Sequence, residues 1–341
     1  MGIMAIVLSH MSSIQFLESE YFKLQSGREK KLSESKGPYS VFDQPPLEIP
    51  SQMLGPLPED TCTYDLGLLK ELIREVPLST PVQRLTNCSR AGNESRLLCN
   101  HALRDRGLNQ AYVRVSDNLY ACTPEYSFAL MGRGRSLIEH IALGFELCGC
   151  YTTQGARSLR MAQRPQLTTV KKICRQLEQF SGVHGVQQSR KACIHIVDGS
   201  ASPAETTLVM LLALPHRLGG YGLPAPKLNN KVTRYGSKGT MVSIGDLVWP
   251  RLVVEYDSYQ EHASYSQAER DARRRNDLSP TAKALQVTTN QVGDPEAMDH
   301  LAMLIAKNLG VRFRCRCKEY EERKANLRRE LNRVNQNRWL K

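Results

Sequence analysis

Asp246, Glu255, Asp257 and His262 fall within one stretch, Gly245 to Arg275, that reads GDLVWPRLVVEYDSYQEHASYSQAERDARRR. Asp246 stands just before one extended run, and Glu255 and Asp257 end a second. Side chains alternate faces along a strand, so Glu255 and Asp257 share a face while Val254 and Tyr256 take the other. Carboxylates gathered at a strand end offer hard oxygen ligands, which suit Mg2+ or Mn2+ better than zinc. His262 has an unperturbed pKa near neutrality and is a candidate base or phosphate contact. The plainer alternative is that these acids end strands at the solvent surface and that His262 is a surface histidine.

The elements that position these groups are legible nearby. Leu252, Val253 and Val254 form the apolar run of a buried strand, and Trp249-Pro250-Arg251 connects it to the strand before. If that connection is a hairpin, Asp246 and Glu255 lie across from one another, within reach of a single divalent cation. Upstream, Ser202-Pro-Ala-Glu205 opens a helix, and serine followed three residues later by glutamate is a capping box. The run GGYGLPAPKLNN, 219–230, has too much glycine and proline for a helix and lacks the ending of a phosphate loop. It leads to the extended segments KVTRY and TMVSI before Asp246.

The order D-x8-E-x-D, then His, then D-x-x-R resembles the PD-(D/E)XK nuclease superfamily, in particular the branch similar to very-short-patch-repair endonucleases. The residues that carry it are Asp246, Glu255, Asp257, His262, Asp271 and Arg274, within roughly 200–292. Ser258 stands where that branch often has glycine, and Asp257 where the superfamily usually has lysine. The resemblance implies a restriction-endonuclease-like core, a mixed central sheet flanked by helices, and metal-dependent hydrolysis of DNA phosphodiesters with Mg2+ or Mn2+. It implies Asp246 and Glu255 as metal ligands and Asp257 as a third ligand or a water-positioning acid. Glu205 falls where the superfamily often carries an acid on its first helix, a role that competes with capping. Arg270, Arg273, Arg274 and Arg275 would contact the DNA backbone, with Arg274 alternatively paired to Asp271 or Asp277. A DNA-binding regulator that keeps the fold without turnover is the alternative function. An interaction protein that recruits a partner through its N-terminal half is a third.

At 341 residues the chain has room for two domains, and 41% hydrophobic residues suffice for a core. The expected class is α/β: a mostly helical α+β domain over 1–195 with a linker near 26–59, the nuclease-like domain over 196–311, and a basic helix over 312–341. The net charge of +12 favours a polyanionic partner, nucleic acid first. Residues 312–341 hold 11 Lys or Arg against 4 acids, more than half of the excess. In that tail Leu327, Leu331 and Val334 follow helical spacing, which leaves Lys324, Arg328 and Arg329 on other faces as candidate phosphate contacts.

In the N-terminal half the expected helices are 65–76, capped before Pro77, then 94–106, the apolar stretch 123–151 opened by Thr123-Pro124, and 167–181 with a basic face of Lys171, Lys172 and Arg175. Tyr112 to Cys122 alternates as a hairpin around Asp117-Asn118. His10 reads as a turn residue, and Glu125 and Glu146 as caps or surface groups. This half is loosely similar to abortive-infection regulators, and a homodimer or protein partner would engage here. The ten cysteines lack the spacing of a zinc site, Cys148-Gly-Cys150 and Cys315-Arg-Cys317 included, and most read as buried apolar groups in a reducing compartment. No apolar run is long enough for a membrane span and Met1–Leu8 is not a convincing signal peptide, so a cytoplasmic protein is expected.

Overall fold

The short apolar run after Met4 becomes the middle of a sheet. In a computed structural model of the chain, which describes residues 5–25, 41–87, 96–103, 108, 110–153, 162–236, 239–257, 283–313 and 318–336, Ile6–Leu8 is strand β1. It is followed by helices α1 (His10–Glu18) and α2 (Glu20–Gln25). The chain divides into two compact units, one reaching Ile196 and one starting at Val197. Both sheets below are mixed and flanked by helices, and no helix among the described residues is long and apolar enough to cross a membrane.

In the first unit, helix α3 (Leu66–Glu75) starts where Asp65 accepts the Gly67 and Leu68 N–H groups, which otherwise lack partners at a helix start. Strands β2 (Val82–Thr86), β3 (Leu98–Ala102), β4 (Tyr112–Arg114) and β5 (Leu119–Cys122) join β1 in the order β3-β2-β1-β5-β4. The helix expected over 94–106 is instead strand β3, paired in parallel with β2. The Leu-Leu spacing there fits either period, and only the neighbouring strand decides between them. The hairpin β4–β5 forms as expected.

Helices α4 (Pro124–Met131) and α5 (Leu137–Leu147) divide the long apolar stretch. Strands β6 (Tyr151–Thr152) and β7 (Ala162–Gln163) then pair, and helices α6 (Val170–Gln179) and α7 (Val186–Cys193) complete the unit. Thr123 caps α4 and a full capping box at Ser136 and Glu139 starts α5.

Glu125 and Glu146 are buried rather than caps or surface groups, being 1% and 3% exposed. Glu125 accepts from the Thr168 hydroxyl at 2.5 Å and pairs with Lys172 at 3.2 Å. Glu146 accepts from the Thr153 backbone N–H and hydroxyl at 2.7 and 2.8 Å. A buried carboxylate needs such partners, which reach Glu125 from the segment around α6 and Glu146 from seven residues on.

Beside them, Arg164 donates to Glu18 at 2.6 Å and to the carbonyls of Glu146, Gly149 and Pro165. Burial pushes the Glu18 carboxyl above its ordinary range, and the Arg164 guanidinium opposes that shift. The stretch 41–59, expected as linker, packs instead: Leu47 and Leu57 are buried, and the Leu47 N–H reaches the Gln166 carbonyl. Cys174 and Cys193 are disulfide-bonded, linking α6 to α7, whereas most cysteines were expected as buried apolar groups in a reducing compartment.

The second unit opens with helix α8 (Pro203–Ala213), then β8 (Lys227–Gly236), β9 (Gly239–Trp249) and β10 (Leu252–Asp257), a continuous antiparallel meander. Strand β11 (Lys283–Thr288) lies parallel to β10 and closes the order β11-β10-β9-β8. Helices α9 (Thr289–Gly293), α10 (Pro295–Leu309) and α11 (Lys318–Gln336) follow. Leu247, Trp249, Leu252 and Val254 form the buried centre of the sheet. Tyr320, Leu327, Leu331 and Val334 bury the apolar stripe of α11, so the tail helix belongs to the core of this unit. Gly219, at φ 88°, admits that helix: a Cβ there would stand 2.2 Å from the Arg323 carbonyl.

A carboxylate cluster as candidate functional site

The β9–β10 ladder pairs Trp249 with Leu252, Val248 with Val253 and Leu247 with Val254. One further step along the same register sets Asp246 across from Glu255, as the hairpin expectation required. The backbone connection there is made by a side chain: Asp246 Oδ2 accepts the Tyr256 N–H at 2.6 Å. On the other side of β9, the β8 register pairs Leu228 with Leu247 and Asn230 with Gly245, leaving Asn229 between the paired positions. Asn229 sits at φ 45°, a left-handed conformation that asparagine tolerates better than most residues.

Asn229 ties the sheet to helix α8. Its Nδ2 donates to Glu205 Oε2 at 2.7 Å and to the Gly199 carbonyl at 2.9 Å. Glu205 also accepts the Ala201 N–H at 2.9 Å and the Ser202 hydroxyl at 3.2 Å. Ser202 Oγ in turn accepts the Glu205 N–H, so the cap forms, with the glutamate reaching Ala201 rather than the N-cap N–H of a standard capping box. Capping and proximity to the acidic site therefore coexist on one carboxylate.

The electrostatics identify the cluster. Burial first, with the negative charges of Glu205 and Glu255 adding to it and the Tyr256 hydrogen bond opposing, raises the Asp246 pKa to about 7. Burial likewise raises Glu205, against its three hydrogen bonds. Two like charges near a half-buried third are unfavourable unless a proton or a cation intervenes. Asp257 is at the rim, where its Oδ2 accepts from Gln286 Nε2 of β11 at 2.7 Å. Among the described residues, no group of three or more His, Cys, Asp or Glu has the arrangement to hold a metal ion.

Of the other expected site residues, His262, Arg270, Arg273, Arg274 and Arg275 lie outside the described residues. Lys324 is 6% exposed and pairs with Asp299 at 2.7 Å and Glu321 at 2.9 Å, while the Tyr221 hydroxyl donates to the same Asp299. That burial corrects its reading as a phosphate contact, since Lys324 anchors α11 from within. Arg328 donates to the Val292 carbonyl at 2.8 Å and is likewise engaged inside the unit. Arg329 is exposed and bonds Asn326. Sequence reasoning passed over Asn229 and Gln286; the Asn-Asn pair at 229–230 was the signal, since asparagine is enriched where a strand must leave ordinary backbone geometry.

Comparison of the chain with family models, with curated proteins and with solved structures finds no match.

Proposed function

We propose that the second unit is a metal-dependent DNA endonuclease of the PD-(D/E)XK type, hydrolysing phosphodiester bonds at the Glu205, Asp246 and Glu255 cluster. The observation that carries this reading is the convergence of three acids from a helix start and two adjacent strands, with Asp246 raised to about 7 by burial and by the other two. A mixed four-stranded sheet with flanking helices supports it, because that is the architecture the sequence resemblance implies.

The donor set suits Mg2+ or Mn2+. Such an ion keeps several waters and takes one or two protein carboxylates, so Asp246 and Glu255 suffice as ligands without a three-residue cage. Bound there, the metal would polarise a phosphate oxygen and acidify a water. Asp246 would release its proton at neutral pH to become a ligand. Glu205, held by Asn229, would keep the site acidic, and Asp257 would orient water from the rim.

A second reading is favoured by one feature. Asp257 stands in place of the superfamily's usual lysine and is bonded to Gln286, so the positive group that would help position the attacking water is missing. A DNA-binding protein without turnover would have this pattern. Incubating plasmid and branched DNA with the wild type and Asp246→Ala in Mg2+ and in Mn2+ separates the two. The expected result is nicking by the wild type and a loss of roughly a thousandfold in Asp246→Ala, about 4 kcal/mol of transition-state stabilisation. Retained DNA binding with no cleavage in either metal would overturn hydrolysis and leave the binding reading.

A further inference from the structure

The first unit contains a cavity of about 640 Å³ that the nuclease reading leaves unused. It is assembled from the parallel pair β2–β3, where Leu85 stands beside His101, from the start of α1 at His10, from Tyr126 and Leu130 of α4, and from the turn at 181–184 before α7. Gly185 pins that turn: at φ 93° it lies so near α4 that a Cβ would stand 2.4 Å from the Ala129 carbonyl. The walls are therefore fixed by a sheet register and a close backbone contact, as in a preformed ligand site.

The lining has a consistent chemistry. His10 and His101 stack with ring centroids 3.9 Å apart, giving a flat aromatic wall, and Leu85, Leu130 and Val183 add apolar surface. His10 holds a left-handed backbone at φ 50°, an uncommon conformation for such a residue, with its Nδ1 at 3.0 Å from the Ser9 hydroxyl. Burial above all, and then the neighbouring His101 and Arg135, lower its pKa to about 3, so the ring is neutral at physiological pH. No Asp or Glu among the described residues lines the cavity. Arg133 stands exposed at its edge and has no ion-pair partner among the described residues.

We propose that this cavity binds a small aromatic anion, its ring against the His10–His101 stack and its anionic group on Arg133. A volume of this size matches the small-molecule range, and the wall of stacked histidine rings favours a flat apolar partner. Arg133 supplies a planar donor fork for a carboxylate, sulfonate or phosphate. The site is independent of the carboxylate cluster, which belongs to the other unit.

The test uses the full chain and a matched set of probes: 8-anilinonaphthalene-1-sulfonate, N-phenyl-1-naphthylamine with the same rings and no anion, and sulfate with no ring. Saturable fluorescence enhancement by the sulfonate is expected, with at least about tenfold weaker binding in Arg133→Gln and unchanged binding of the neutral amine. Leu130→Trp, which fills the cavity, should abolish both signals while circular dichroism stays native. Sulfate alone should not displace the probe at equal concentration. Non-saturable enhancement, displacement by sulfate alone, or sulfonate binding unaffected by Arg133→Gln would overturn the proposal. Arg133 is on the surface, so its variant keeps the test decisive if Leu130→Trp does not fold.

Discussion

Asp246→Asn is expected to raise the melting temperature in metal-free buffer at pH 8 and to change it little at pH 4. The folded protein holds the Asp246 carboxyl at about 7 against an ordinary 3.8. A raised pKa means that folding favours the protonated form. The stability this group contributes is therefore fully present below pH 3.8 and is lost as pH rises through about 7. Three pH units correspond to about 4 kcal/mol as an upper bound, on the order of 10 °C for a unit of this size. Asparagine keeps an oxygen for the Tyr256 N–H and carries no charge toward Glu205 or Glu255. Scanning calorimetry of wild type and variant across pH 4 to 8 reads the effect. A difference that does not vary with pH would show that Asp246 is not held protonated by the fold. Added Mn2+ should stabilise the wild type and not the variant, so the substitution that strengthens the fold removes the proposed metal site.

Arg164→Met should destabilise the protein by about 3–5 kcal/mol, the range for removing one partner of a buried ion pair. Both partners are nearly enclosed, with side chains 11% and 10% exposed. Three carbonyls, those of Glu146, Gly149 and Pro165, lose their donor together with the Glu18 carboxylate. Adding Glu18→Gln should return part of the loss, since a neutral amide is cheaper to leave buried than a charge. Urea unfolding of both single variants and the double variant measures the coupling. A loss below about 1 kcal/mol in Arg164→Met would mean that water replaces the guanidinium.

The site was partly legible because its first cue is local. Asp246 and Glu255 are related by a two-residue hairpin, and a hairpin's register follows from its turn. Asn229 and Gln286 come from strands whose register depends on the whole sheet, and the Asn-Asn pair marks only a local change of backbone geometry, not which strand it meets. Glu125 failed for the same reason, since it meets Thr168 and Lys172 far off in sequence, and Glu18 is held likewise by the distant Arg164. Helix starts at Asp65, Thr123 and Ser202 were readable because a cap acts within three residues. The prolines of 41–59 suggested an unpacked linker, yet proline limits hydrogen bonding and not burial, and Leu47 and Leu57 are in the core. The charge of the tail misled in a complementary way, because helical spacing could show which residues share a face but not that Lys324 has Asp299 and Glu321 waiting for it.

The two edges of β10 differ in the time at which they can form. On one side a two-residue turn joins it to β9; on the other, residues 258–282 separate it from β11. Bringing together two strands that far apart in sequence carries an extra entropic penalty of about 2 kcal/mol before any strand contact compensates. The meander is thus the natural nucleus, and it brings Asp246 against Glu255 before β11 joins the sheet and α10 packs on β10. Substitutions in the β9–β10 turn should slow refolding, whereas those in β11 or α11 should mainly hasten unfolding, a division that chevron plots of the two sets resolve.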